Sequence, residues 1–143
     1  MATVELRFSP LPEHVRTARL VAAAMARRAG VDEAVLDEVR LAVGEACSRA
    51  VGLHQAGGIT APVRVALVEE EKQFSIEVGD EASHATVAAP GVAGTAEDPD
   101  AEGEDEMGLA VISGLVDDVE VTADADGGLI RMSWPTLPAT LLP

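Results

Sequence analysis

Two ionisable residues lie one helical turn apart in the stretch LAVGEACSRAVGLH, residues 41–54. Glu45 and Arg49 have the i, i+4 spacing that brings two side chains together on one face of a helix. A carboxylate there can orient or deprotonate an attacking hydroxyl, whereas a guanidinium has no acceptor atom and can neutralise phosphate but cannot ligate a divalent metal. The alternative is an i, i+4 ion pair contributing about 0.3–0.5 kcal/mol. Spacing alone favours the ion pair.

Two further positions have chemistry that a ligand site could use. Asp80 follows the strand-like stretch FSIEVG, where one carboxylate can accept a hydrogen bond from the exocyclic amine of a purine; the plainer interpretation is that it ends a strand and starts a turn. Gly108 at the start of a helix could let backbone N–H groups approach phosphates, although many helices begin with glycine for steric reasons. Three scattered histidines have no Ser or Asp at a spacing that suggests a hydrolytic triad: His14, His54 and His84.

The first helical segment is the most basic part of an acidic chain. Four of its residues are arginines: Arg16, Arg19, Arg27 and Arg28. Such a cluster is usually a solvated face, but it is also suited to an acidic partner.

Composition excludes several classes of function. The formal net charge is -15, which repels phosphate backbones and anionic lipids, and the 2% aromatic content offers few stacking platforms, so no direct nucleic-acid or membrane partner is expected. The apolar run at residues 20–26 is too short to span a bilayer and no leader-like segment precedes it, so a cytoplasmic protein is expected. The lone Cys47 and the lack of metal-ligand spacing argue against a disulfide and a metal site.

The spacing of apolar residues predicts the helices and strands that position these side chains. Apolar residues at helical spacing predict helices over residues 12–29, 32–53 and 107–116, the second with Asp32 as its N-cap. Alternation predicts strands at residues 4–8, 63–68, 74–78, 119–122 and 129–134. Residues at about 81–106 are acidic and rich in Ala and Gly, which predicts a mobile segment that is either a functional lid or disordered. This order predicts an α+β fold of two layers, with helices on one face of a mixed, mostly antiparallel sheet.

Taken together in order, five segments resemble one protein family. FSPLPEHVRTAR, LDEVRLAVGEACSRAV, FSIEVGDE, EMGLAVISGLVDDVEV and DGGLIRMSW are similar to the anti-sigma factor serine/threonine kinases of bacterial partner-switching systems, which belong to the GHKL (Bergerat-fold) ATPase superfamily. The resemblance covers nearly the whole chain and implies a single domain over residues 1–143. It also implies ATP and magnesium as cofactors, a sigma factor and an STAS-domain anti-anti-sigma factor as partners, and a homodimer.

The resemblance assigns roles to individual residues. Glu45 matches the residue thought to assist phosphoryl transfer, and Asp80 matches the aspartate that contacts adenine. Arg19, with Arg16 nearby, matches a first-helix arginine that touches both protein partners.

The chain departs from the family motifs at the nucleotide site. Arg49 stands where the family has the asparagine that ligates magnesium. The glycine motif after Asp80 is replaced by Ala82-Ser83-His84; the second glycine motif keeps only Gly108, with Glu106 in the first position; and a Gly-Thr pair near the last hairpin appears as Gly127-Gly128. Phosphoryl transfer depends on positioning and charge neutralisation, so these changes predict weak or absent ATP binding, with Arg49 pairing with phosphate or with Glu45.

Three hypotheses follow from the sequence. The leading one is an anti-sigma-like regulator that binds its partners through the first helix and the lid side. The second is an active ATP-dependent kinase that uses Glu45 to phosphorylate an anti-anti-sigma factor. The third is an acidic scaffold or decoy for a basic partner.

Overall fold

A five-stranded sheet and three helices build the described part of the chain. The structure is a computed structural model and describes residues 2–82, 109–116, 118–124 and 126–136. Its helices are α1 (Glu13–Ala29), α2 (Leu36–Ala56) and α3 (residues 109–115). Its strands are β1 (Ala2–Phe8), β2 (Val63–Glu69), β3 (Gln73–Asp80), β4 (Asp118–Asp124) and β5 (Gly127–Pro135).

The strand order is β1-β2-β3-β5-β4, and every neighbouring pair is antiparallel. This order confirms the predicted α+β class. The described sheet is antiparallel throughout and not mixed, because β5 runs back along β3 and β4 turns back along β5.

The core lies between one face of this sheet and the helices. Strand alternation turns a continuous set of apolar side chains toward α1 and α2. The fully buried members include Val65, Leu67, Phe74, Ile76 and Met132. Small residues on both helices, such as Ala22 and Ala46, are also fully buried. The core is therefore built mainly from aliphatic and small residues, with Phe74 and Trp134 as buried aromatic members.

The helix ends show how local sequence sets the path of the chain. Gly30 adopts a left-handed conformation with φ 101° and ends α1, as glycine does at many helix C-termini. Asp32 was predicted to cap α2, but it caps a short 3-10 turn at Glu33–Val35 by accepting a hydrogen bond from the Ala34 N–H at 3.0 Å. The second helix therefore starts at Leu36.

The predicted lid lies almost wholly outside the described residues, as does Gly108. The described helix α3 falls within the predicted helix 107–116. None of the described helices is both long and apolar enough to cross a membrane.

Candidate functional site

Asp80 is the last residue of β3, with only 3% of its surface exposed. The strand predicted over residues 74–78 extends to Asp80, because the ladder between β3 and β5 continues to the pair Asp80 and Gly128. Its Oδ1 accepts a hydrogen bond from the Ala82 N–H at 2.9 Å. This contact confirms that Asp80 starts a turn at the strand end.

Arg49 points from α2 toward this strand end. Its Nη1 lies 4.0 Å from Oδ2 of Asp80, and the two side chains are 10% and 3% exposed. The carboxylate that Arg49 faces is therefore Asp80, and the structure does not record the i, i+4 pair with Glu45 among the residues that it describes. Both side chains are largely buried, so water screens the two charges poorly and their separation is costly.

The residues present do not fit a magnesium ion held in the manner that the sequence resemblance implied. The position that would supply a neutral oxygen ligand carries a guanidinium, which has no acceptor atom and repels a cation. The same guanidinium approaches Oδ2 of Asp80, while Oδ1 is engaged by the Ala82 N–H. The position matched to adenine recognition is therefore already in contact with the chain itself.

The backbone of β5 also lies close to Asp80, at Gly127. A Cβ atom on Gly127 would lie 2.2 Å from the carbonyl oxygen of Asp80, which is far inside van der Waals contact. Only glycine therefore allows the start of β5 to approach the end of β3 this closely.

His54, near the C-terminus of α2, ties the segment after Asp80 to the helix. Its ring is fully buried, Nδ1 lies 2.9 Å from the Ala61 carbonyl oxygen, and Nε2 accepts a hydrogen bond from the Glu81 N–H at 2.9 Å. A carbonyl only accepts, so the proton is on Nδ1. His54 thus has a structural role in holding the chain after β3.

A groove of about 450 Å³ opens at the same end of the sheet. Its charged lining includes Glu77, Glu81 and Asp126 together with Arg64. A polyphosphate entering this groove would meet several carboxylates, which disfavours its binding.

Glu45 lies in a different place, in a groove of about 510 Å³ between α1 and α2 that we call the α1/α2 groove. Its lining includes Glu13, Arg16, Arg19, Leu41, Gly44 and Glu45. Apart from Gly44, these residues are exposed. The structure therefore separates the predicted residues into two groups: Arg49 with Asp80, and Glu45 with the two arginines of α1.

Cys47 projects into the core from α2 and is fully buried. Burial raises the pKa of its thiol from 9.0 to about 12, because the thiolate would lose its hydration there. The thiol therefore stays protonated near neutral pH and acts as a small core residue.

Comparison with known proteins shows which family this chain belongs to. A family profile for the histidine kinase-like ATPase domain matches residues 8–134. The chain belongs to the histidine kinase-like ATPase domain family. This match and the sheet order confirm the GHKL ATPase-like fold that the sequence resemblance implied.

This histidine kinase-like ATPase domain is also similar to a solved structure. The crystal structure of the RsbU and RsbW domains of Rv1364c from Mycobacterium tuberculosis matches 97% of the chain with a TM-score of 0.69 at 16% sequence identity. The match covers 33% of that chain, so the present chain spans about a third of its length. At this identity the likeness shows the fold. No curated protein matches the sequence.

Three residues of this family member were not assigned a site role from the sequence. Gly44 and Gly127 allow close approach between elements that are distant in the chain, and His54 bridges two loops. A glycine in the middle of a predicted helix was the available signal for Gly44, because glycine weakens a helix by about 1 kcal/mol relative to alanine. His54 had no catalytic assignment from the sequence, and both of its ring nitrogens contact backbone atoms in the structure.

Proposed function

We propose that this domain is an anti-sigma-factor-like regulator of a bacterial partner-switching system. It acts in the cytoplasm as a homodimer, binds a sigma factor, an STAS-domain anti-anti-sigma factor or both, and binds ATP weakly or not at all. The observation that carries this proposal is the contact between Arg49 and Asp80. These are the two positions that the resemblance assigns to the magnesium ligand and the adenine contact.

Loss of nucleotide binding follows from charge and space. A nucleotide would have to displace the Arg49 guanidinium from Asp80 to use that carboxylate, and a buried charge pair resists separation. The lining of the neighbouring groove contains more carboxylates than basic groups, even though Glu77 lies 3.9 Å from Arg131, and this excess disfavours phosphate.

Partner binding is supported by the α1/α2 groove. Arg16 and Arg19 are exposed on α1 and line the groove together with Glu13 and Glu45, so each guanidinium offers a site where a carboxylate of a partner can bind. Exposed Leu41 adds an apolar contact beside them, at 54% exposure. Arginine next to an apolar side chain is a common composition for a binding anchor.

Calorimetric titration with ATP and magnesium tests the nucleotide part of the proposal. The natural protein should give no binding heat at millimolar ATP. Arg49→Asn should restore measurable binding, because it frees the Asp80 carboxylate and supplies a neutral oxygen. Arg40→Asn is the matched control, since Arg40 lies on the same helix and pairs with Asp37 at the surface; it should leave binding absent. Micromolar binding by the natural protein would overturn this part of the proposal.

The kinase alternative rests on Glu45, which is exposed in the α1/α2 groove and remains accessible to a hydroxyl of a partner. Incubation of the protein with γ-labelled ATP and a purified STAS-domain protein from the same genome tests it. Transfer of label that Glu45→Gln abolishes would select the kinase, and no transfer supports a regulator that works by binding alone.

A further inference from the structure

The floor of the α1/α2 groove contains an unusual contact between a glycine and an arginine. A Cβ atom on Gly44 would lie 2.8 Å from Cδ of Arg19 and 3.6 Å from both Cγ and Nη1. The Arg19 side chain therefore lies across α2 at the one-residue gap that Gly44 leaves. Atoms of both its stem and its guanidinium therefore lie close to Gly44, while the residue remains exposed to solvent.

Gly44 does not favour the helix in which it lies. Glycine in a helix interior costs about 1 kcal/mol relative to alanine, and Gly44 lies inside α2. Gly52, on the same helix, shows the contrast, because a Cβ atom there would meet no atom within 4 Å. The space above Gly44 is filled by Arg19 and by no core residue among its nearest neighbours.

We infer that Gly44 is a positioning residue for Arg19 and thereby sets the affinity of the α1/α2 groove for an anionic group of a protein partner. This inference rests on the proposed function, in which Arg19 contacts that partner. Any side chain at position 44 displaces the stem of Arg19, and a guanidinium binds a carboxylate strongly only when its planar fork is correctly oriented. The displaced arginine is flexible and exposed, so the fold tolerates the change while the binding geometry does not.

The test compares Gly44→Ala with Gly52→Ala. The probes are the purified sigma factors and STAS-domain proteins encoded in the same genome, titrated against the full chain. Both variants should have an unchanged or raised melting temperature, because alanine favours helix. Gly44→Ala should weaken partner binding by about tenfold or more, as expected when an arginine that anchors an interface is misplaced, whereas Gly52→Ala should leave it unchanged.

A double-mutant cycle with Arg19→Ala separates failure of the inference from failure of the proposed function. Arg19→Ala should abolish most of the binding, and adding Gly44→Ala to it should cause no further loss, since the two changes act through one side chain. Full binding by Arg19→Ala would overturn the proposed partner surface. Loss of binding by Arg19→Ala with full binding by Gly44→Ala would overturn the positioning role alone.

NMR can monitor the position and mobility of the Arg19 side chain without any partner. The Nε–H signal of Arg19 in a nitrogen-15 NMR spectrum should shift and become more mobile in Gly44→Ala, while Gly52→Ala should leave it in place. An unchanged Arg19 signal in Gly44→Ala would overturn the inference. Absence of binding by every protein in the panel would overturn both the proposed function and the role of Gly44 in it.

Discussion

The residue type at position 49 determines which chemical group α2 places near the end of β3. An asparagine at position 49 would offer an oxygen to a metal ion, whereas Arg49 offers only donors and a fixed positive charge. Its partner Asp80 is 3% exposed, so little water is available to screen the two charges. Arg49 and Asp80 therefore contact each other, and the positive charge of Arg49 disfavours a cation at this position.

Cys47 gives a prediction at the same scale. The folded thiol has a pKa of about 12, and the unfolded thiol has its ordinary value of 9.0. Between these values the unfolded state binds fewer protons than the folded state, so the free energy of unfolding should fall as pH rises, by about 1.4 kcal/mol per pH unit. Below pH 9 this contribution is fully present.

Urea unfolding at several pH values above about 9 measures the slope for the natural protein and for Cys47→Ala. The variant should start less stable, because it loses buried packing, and should show a shallower decline. The comparison is clean because the chain has no Tyr and a single Lys, Lys72. Equal slopes in the two proteins would contradict the prediction.

At the scale of elements, α2 serves three different neighbours along its length. Gly44 accommodates a side chain of α1, Arg49 faces the end of β3, and His54 holds the backbone that follows β3. These contacts follow one another along α2. The same helix therefore borders the α1/α2 groove and contacts the end of β3. A second constraint on that strand end comes from β5, where Gly127 meets Asp80.

Gly127→Ala should destabilise the domain. The added methyl group would lie 2.2 Å from the Asp80 carbonyl oxygen, a backbone atom that cannot move without breaking the pairing of β3 and β5. Overpacking of this kind costs about 1–3 kcal/mol, which denaturant unfolding can measure. The matched control is Gly114→Ala in α3, where a Cβ atom meets nothing within 4 Å and stability should be unchanged or higher. A Gly127→Ala protein as stable as the natural one would show that the strands separate at little cost.

At the scale of the whole molecule, charge is unevenly distributed. The chain carries 25 acidic and 10 basic side chains, yet Arg16 and Arg19 both face the α1/α2 groove. Glu13 and Glu45 line the same groove, so a partner that uses it meets exposed side chains of both signs on a negative protein. A basic partner that is held by the net charge alone would have no need of those arginines, and this difference distinguishes the regulator from the acidic scaffold.

Partner affinity at low and high salt tests this distinction. If the α1/α2 groove carries the binding, Arg19→Ala should remove most of the affinity, Arg28→Ala at the far end of the same helix should not, and raising the salt concentration should weaken the complex only modestly. A steep fall in affinity with salt, with equal effects of the two substitutions, would favour the acidic scaffold. The same partners used for the Gly44 titrations serve here.

The sequence was enough to predict the fold class and the order and approximate extent of the helices and strands, although boundaries such as the start of α2 differed. Period-two and period-3.6 patterns of apolar residues depend on local geometry, so residues 4–8, 12–29 and 63–68 were recognisable without any knowledge of packing. Ordered motifs such as LAVGEACSRAV identified the family, and the type of residue at position 49 was enough to question a metal site.

Tertiary structure decided which side chains meet. Local spacing suggested Glu45 as the neighbour of Arg49, but Asp80, 31 positions away in the chain, lies at the end of the strand that Arg49 faces. The roles of Gly44 and Gly127 were also outside the reach of sequence, because the atoms that fill the space beside them come from other elements. Contacts between distant segments depend on how helices and strands pack, and residue spacing along one chain contains no direct record of that packing.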